Sequence, residues 1–236
     1  HVIAVSRRVK ELVCNGFPTS VILNGVDSAR LAQTRSRLDV RHSFGFAPDD
    51  FVLGYVGRFS PEKRPEMLVE AVARLPRHFK ALFVGWGPML GDLFQLANAR
   101  IPGRFAFVTA HHHLGDYYRA MDALCLLSVQ EGFALVALEA MMCERVLIAT
   151  PVGSVPEMIE DRVNGIVVND DVQSVCEAAE RLHRHPHWAR AIAIEGKTYA
   201  EQHGHAWRMA APNDLRCCSR ARNRLRSSSL RTPAAR

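Results

Sequence analysis

The chain has 236 residues, 48 % of them apolar, enough for one large domain or one and a half ordinary ones around a sizeable core. Its formal charge of +6 is not spread over the body: from His205 onward eight arginines face one aspartate, a net of +7, so residues 1–204 sum to about −1. With no aromatic interleaving beyond Trp207 and no nucleic-acid-binding signature, the composition argues against nucleic acid as a partner, and no run of 18 apolar residues is present to cross a membrane.

Residues 2–5 read as a strand that starts at once, without the length or flanks of a secretion signal, so the sequence is expected to be a piece of something longer. A helix follows, capped by Ser6 and stopped by Asn15-Gly16, and then a strand at 21–23. Asn24-Gly25-Val26-Asp27 opens a polar stretch through Arg37 that suits a hinge or linker. Beyond it, apolar runs at 52–56, 81–84, 105–108, 123–127, 146–149 and 166–168 alternate with helical patterns, one of which begins after Pro61 and ends before Pro76. That alternation predicts a mostly parallel sheet covered on both faces, an α/β, Rossmann-like doubly wound fold with six strands between about residues 49 and 170. Amphipathic helices at 171–182 and 188–203 complete the body. From Pro212 to Arg236 no apolar period survives, which predicts a disordered basic tail or a stretch translated out of frame.

Cys14, Cys125, Cys143, Cys176, Cys217 and Cys218 form no CxxC pair and no zinc spacing, so buried reduced thiols and a cytoplasmic setting are expected.

The richest segment is Glu131-Gly132-Phe133-Ala134-Leu135-Val136-Ala137-Leu138-Glu139, which sets two acids eight positions apart at the start of an apolar, helix-forming run. If the helix starts near Phe133, Glu139 lies roughly 12 Å beyond Glu131 and within about 80° of the same face, and both acids line one cleft. The unpaired amides of Phe133, Ala134 and Leu135 would then offer an anion the positive end of a helix. An ordinary solvated helix face yields the same spacing, so the segment gains weight only from its surroundings. In Gly57-Arg58-Phe59-Ser60-Pro61-Glu62-Lys63 a buried strand ends in glycine and presents a guanidinium at the carboxyl edge of the sheet, where open α/β folds bind ligands. Lys63 follows as a mobile point charge, and together the two cations suit a diphosphate.

The series Asn24-Gly25-Val26-Asp27, Gly57-Arg58 with Pro61-Glu62-Lys63, Val84-Gly85-Trp86-Gly87-Pro88, Ser128 with Glu131-Gly132-Phe133, Glu139-Ala140-Met141, and Pro156-Glu157 with Asn164-Gly165 resembles the C-terminal half of the retaining GT-B glycosyltransferases. These are the glycogen-synthase, sucrose-synthase and bacterial polysaccharide group, and the likeness runs in order over roughly residues 1–200. The resemblance implies that residues 1–27 are the end of an N-terminal domain and a hinge, 28–48 a linker, 49–204 a nucleotide-sugar donor-binding domain with C-terminal helices, and 205–236 the basic tail. It implies catalytic roles for Arg58, Lys63 and Glu131, with the cations holding the diphosphate as it leaves and Glu131 meeting hydroxyls of the donor sugar. It further implies donor contacts from Gly57, Gly132, Phe133, Ala134 and Leu135, and from Glu139 to the ribose hydroxyls. No cofactor and no metal are implied. The acceptor, a saccharide, a lipid-linked saccharide or a small molecule, would sit on an absent N-terminal domain or a partner chain, with peripheral association at the inner face of the membrane. None of the eleven histidines matches the family's catalytic histidine.

Several positions depart from the pattern: Ala134 and Ser154 stand where glycine is usual, Leu127 where proline is common, and Glu144 and Val146 where glycine and proline are expected. Ala134 narrows the room beside the sugar, and Glu144 puts a charge at a turn that wants positive φ. His111-His112-His113 reads as a polar loop near the nucleotide base rather than a metal site, since only Asp116 accompanies it. Trp86 reads as packing at a strand end. The alternatives are a nucleotide-sugar-binding subunit or regulator that needs a partner chain, and an epimerase or a pyridoxal-dependent phosphorylase on the same fold.

Overall fold

The computed structural model describes residues 2–13, 17–21, 24–109 and 113–203. The basic tail, Cys14, the Asn15-Gly16 helix stop, Ile22, Leu23, His111 and His112 lie outside the described residues.

A small parallel pair, β1 (Val2–Ala4) and β2 (Thr19–Val21), flanks helix α1 (Arg7–Val13), which Ser6 caps by accepting the amide of Val9 at 3.0 Å. The main sheet has six parallel strands in the order β5-β4-β3-β6-β7-β8: β3 Phe51–Arg58, β4 Phe79–Trp86, β5 Phe105–Val108, β6 Ala123–Leu126, β7 Val146–Ala149 and β8 Ile166–Val167. Every residue of β6 and β7 is buried, as expected for strands covered on both faces.

Alternate side chains build two cores. Leu53, Phe83, Cys125 and Ile148 pack with α3 (Pro65–Arg74), α4 (Leu90–Arg100) and α8 (Val172–Arg184). Val52, Leu82, Leu124 and Leu147 pack with α5 (Leu114–Ala120) and α6 (Leu135–Met142), and α7 (Val155–Met158) lies on this side too. The last helix, α9 (Pro186–His203), gives Ile192 and Ala193 to one core and Ala200 to the other, so it straddles the β7-β8 end of the sheet. The doubly wound α/β fold expected from the alternation is therefore present.

The helix expected between Pro61 and Pro76 is α3, which follows a 3-10 turn, Pro61–Lys63; Arg64 at φ 53° and ψ 48° separates the two, since the ring of Pro65 disfavours right-handed helix at the residue before it. Two local expectations are corrected. α6 starts at Leu135 rather than near Phe133, because Ala134 at φ −82° and ψ 80° is not helical. The stretch 28–48 is packed rather than strung out as a linker: a 3-10 turn Ser28–Leu31 and α2 (Arg37–Ser43) bring Leu31, Val40 and Phe46 into the second core.

Acids at strand and helix ends fix that stretch. Asp116 accepts the Thr34 amide at 2.7 Å, the Thr34 hydroxyl at 2.6 Å and the Arg35 amide at 3.1 Å. Asp122, just before β6, pairs with Arg37 and Arg41 and accepts the Val52 amide at 2.7 Å. Arg41, only 2 % exposed, also donates to the carbonyls of Ala120, Pro48 and Asp50. Sparse apolar spacing hid this packing, since charge-assisted bonds supply it.

The chain leaves β3 toward β4 and β5 on one side, then returns to lay β6, β7 and β8 on the other. The topological switch point thus falls between β3 and β6, and the crevice beyond their carboxyl ends is where such sheets take ligands.

Candidate functional site

At the switch point, β3 ends in Gly57-Arg58 and β4 in Gly85-Trp86, paired in register. Gly57 and Gly85 sit at φ 149° and 150°, and a Cβ on Gly85 would lie 1.8 Å from the Gly57 carbonyl oxygen, so only glycine lets the two backbones close here. The Tyr55 hydroxyl donates to the Arg58 carbonyl at 2.7 Å. Burial and the nearby charge of Glu131 raise the Tyr55 pKa, keeping it a neutral donor.

The Pro61–Lys63 turn is tied to the loop after β6 by the Val129 amide, which donates to the Glu62 carbonyl at 2.9 Å. That tie brings Lys63 Nζ to 2.6 Å from Glu131 Oε1, and the Ser128 hydroxyl donates to the same carboxylate oxygen at 2.8 Å. A cavity of about 240 Å³ opens beside them, walled by Tyr55, Gly57, Lys63, Ser128 and Glu131, with Phe133, Ala134 and Leu135 closing it from the helix side. Six of the residues expected from sequence therefore meet: Gly57, Lys63, Glu131, Phe133, Ala134 and Leu135.

The other three stand apart. Arg58 is exposed at the strand end and outside the cavity wall. Gly132 faces a wider cleft of about 670 Å³ on the other side of Glu131, which Arg7 and Gly153 also line, and its carbonyl accepts the Ser6 hydroxyl at 3.4 Å. Glu139, 8 % exposed, turns to α5, where the Tyr118 hydroxyl donates to its Oε2 at 2.8 Å. Burial raises the Glu139 pKa, opposed by the Tyr118 bond and by the charge of Arg30. The two acids do not line one cavity: the later helix start leaves Glu139 on the turn of α6 that packs against α5.

The amides expected to be free are partly occupied. Ala134 donates to the Ser154 hydroxyl at 3.2 Å and Leu135 to the Phe133 carbonyl at 3.1 Å, so neither is open to an anion without rearrangement. Trp86, expected to pack, is 65 % exposed beside Arg58, because β4 runs on past the sheet core. Glu144 does adopt φ 55°, and its carboxylate is held by Lys197 at 2.6 Å. Among the described residues no group of three His, Cys, Asp or Glu side chains is placed to hold a metal. Cys125, Cys143 and Cys176 are buried free thiols, with burial raising Cys125 to about 12.

Tyr118, which holds Glu139, and Ser154, which holds the Ala134 amide, were not legible in these roles. For Tyr118 the available signal was a tyrosine inside an apolar helix, whose hydroxyl must find a partner when buried.

Residues 50–185 match the family described as Glycosyl transferases group 1. A D-inositol 3-phosphate glycosyltransferase of Actinosynnema mirum is 31 % identical over 220 residues, covering 86 % of this chain and 52 % of that protein. The lipopolysaccharide core biosynthesis mannosyltransferase LpsB of Rhizobium meliloti is 30 % identical over 190 residues, covering 75 % of this chain and 54 % of its own length. Among solved structures, sucrose-phosphate synthase from Thermosynechococcus elongatus superposes with a TM-score of 0.77 at 27 % identity, over 93 % of this chain and 58 % of that one. Anabaena Alr3699/HepE in complex with UDP and glucose superposes with a TM-score of 0.82 at 24 % identity, over 92 % of this chain and 62 % of that one, a likeness of fold. The chain spans about half the length of the curated relatives it matches.

Proposed function

Since the chain belongs to the group 1 glycosyl transferases and has their GT-B type of α/β domain, we propose that it is the donor-binding half of a retaining glycosyltransferase that moves a sugar from a nucleotide diphosphate-sugar to an acceptor hydroxyl. The observation that carries this reading is the Lys63–Glu131 pair, a cation and a carboxylate 2.6 Å apart on the wall of a cavity at the switch point of a parallel sheet.

Without ligand, each group is the other's counterion. A nucleotide-sugar replaces both halves of that pairing: the diphosphate takes Lys63 and the sugar hydroxyls take Glu131. Arg58, exposed next to the strand end, closes on the diphosphate from outside, and its planar fork can grip two oxygens. As the bond from the anomeric carbon to the phosphate oxygen breaks, negative charge builds on the diphosphate, and the cations act where that charge develops. Glu139, buried and held by Tyr118 outside this cavity, has no part in the exchange. The acceptor approaches from the wider cleft across Glu131, supplied by a saccharide, a lipid-linked saccharide or a small molecule. Complexes of Anabaena Alr3699/HepE with UDP and with UDP-glucose support a uridine nucleotide as the first donor to try.

Calorimetric titration of the chain with UDP, GDP, ADP and their glucose or mannose derivatives tests this reading. One base is expected to bind clearly better than the others and to lose affinity in Arg58→Ala; absence of binding by all three nucleotides would remove the donor site.

A further inference from the structure

Three buried hydroxyls cluster around the loop that carries Glu131. Ser128, Thr150 and Ser154 are each 1 % exposed. A hydroxyl buried this deeply costs free energy unless it is bonded, and an alanine or valine would fill the same space without that cost. All three bond toward the loop.

Thr150, at the end of β7, donates its hydroxyl to the Ser128 carbonyl at 2.7 Å, while its amide donates to Leu126 at 3.0 Å. Ser128, so held, donates its own hydroxyl to Glu131 Oε1. Gly153 sits at φ 56°, and a Cβ there would lie 2.1 Å from the Glu131 carbonyl oxygen, so the turn is pressed against the backbone of Glu131 itself. Ser154 accepts the Ala134 amide and donates to the Met158 sulfur at 3.4 Å. The turn after β7 therefore grips the loop after β6 at its start, at Glu131 and at its end.

We propose that Thr150 and Ser154 are positioning residues for sugar recognition: through Ser128 and Ala134 they fix where the Glu131 carboxylate stands in the donor cavity. They touch no substrate; they act through Glu131. This inference rests on the donor-site reading and assigns to that site the element that sets its geometry. Displacing Glu131 affects only the part of the ligand that Glu131 meets, so its signature is a loss confined to the sugar.

The experiment compares each nucleoside diphosphate with its own sugar derivative, UDP with UDP-glucose, GDP with GDP-mannose and ADP with ADP-glucose, by calorimetry on the unaltered chain, Thr150→Val, Ser154→Ala and the conservative Thr150→Ser. For the nucleotide that binds, Thr150→Val and Ser154→Ala are expected to weaken the nucleotide-sugar about three- to tenfold, the scale of one hydrogen bond, and to leave the free diphosphate within about twofold. Thr150→Ser keeps the hydroxyl and restores the nucleotide-sugar. Equal weakening of both ligands, or none of either, overturns the positioning role while leaving the donor site standing. An unaltered chain that binds none of the six compounds overturns the donor site itself, and this role with it.

Discussion

Lys63 and Glu131 lie 68 positions apart in sequence yet meet at 2.6 Å across the gap between β3 and β6, with the Glu131 side chain 7 % exposed and that of Lys63 27 % exposed. The pair is partly desolvated, so each partner depends on the other more than a surface ion pair would. Its position at the switch point makes it the centre of the proposed donor site.

Lys63→Ala leaves Glu131, among the described residues, with the Ser128 hydroxyl as its side-chain partner. Thermal melts are expected to show a loss of about 1–3 kcal/mol, between the surface and buried limits for breaking an ion pair. In a transferase carrying this chain as its donor half, turnover falls about tenfold or more, since roughly 2–4 kcal/mol of transition-state stabilisation is removed. A near-normal rate would take Lys63 out of the mechanism.

Glu139 carries a pH signature of known sign. Burial holds its folded-state pKa above the unfolded value, so the folded chain retains a proton that the unfolded chain has released. Stability from this group is present below the ordinary glutamate range and is lost as pH rises through the folded value. Glu139→Gln keeps an acceptor for Tyr118 and abolishes the titration. The variant should therefore melt higher than the unaltered chain at about pH 8, with the gain shrinking toward about pH 4, the ordinary glutamate pKa. A gain independent of pH would contradict the assignment.

Gly153→Ala puts a methyl group 2.1 Å from the Glu131 carbonyl oxygen at a residue with φ 56°. A loss of about 2 kcal/mol or more is expected in denaturant melts, from strain and steric conflict together. Because the displaced atom belongs to Glu131, nucleotide-sugar affinity should fall as well.

Asp122→Asn separates folding from function. Asp122 receives two arginines and the Val52 amide at the amino ends of the strands, the edge opposite the proposed donor cavity. About 1–3 kcal/mol of stability should be lost, between the surface and buried limits, since Asp122 is partly exposed. Nucleotide affinity below the melting range should stay unchanged.

The strands were legible because parallel strands covered on both faces must be continuous apolar runs: 105–108 and 146–149 appear with the expected bounds. The conjunction of Gly57, Lys63 and Glu131 was legible too, since each stands at an element end on one edge of the sheet. What escaped was set by long-range polar contacts. The start of α6 depends on Ser154, 20 positions away from Ala134, and the packing of α2 depends on Asp116 and Asp122, some 80 positions away. Glu139 has the right spacing for a shared cleft, but the same late helix start turns it to Tyr118. Trp86 looked like packing because its strand was expected to stop at Val84, whereas β4 continues beside Gly57-Arg58.

The most direct measurement of the central claim is the affinity of the preferred nucleoside diphosphate for the chain before and after Lys63→Ala, by calorimetry under conditions where both remain folded. If Lys63 exchanges Glu131 for the diphosphate, affinity drops about tenfold or more, the scale of a charge-assisted contact. Equal affinity in the two proteins would contradict a donor site at Lys63 and Glu131.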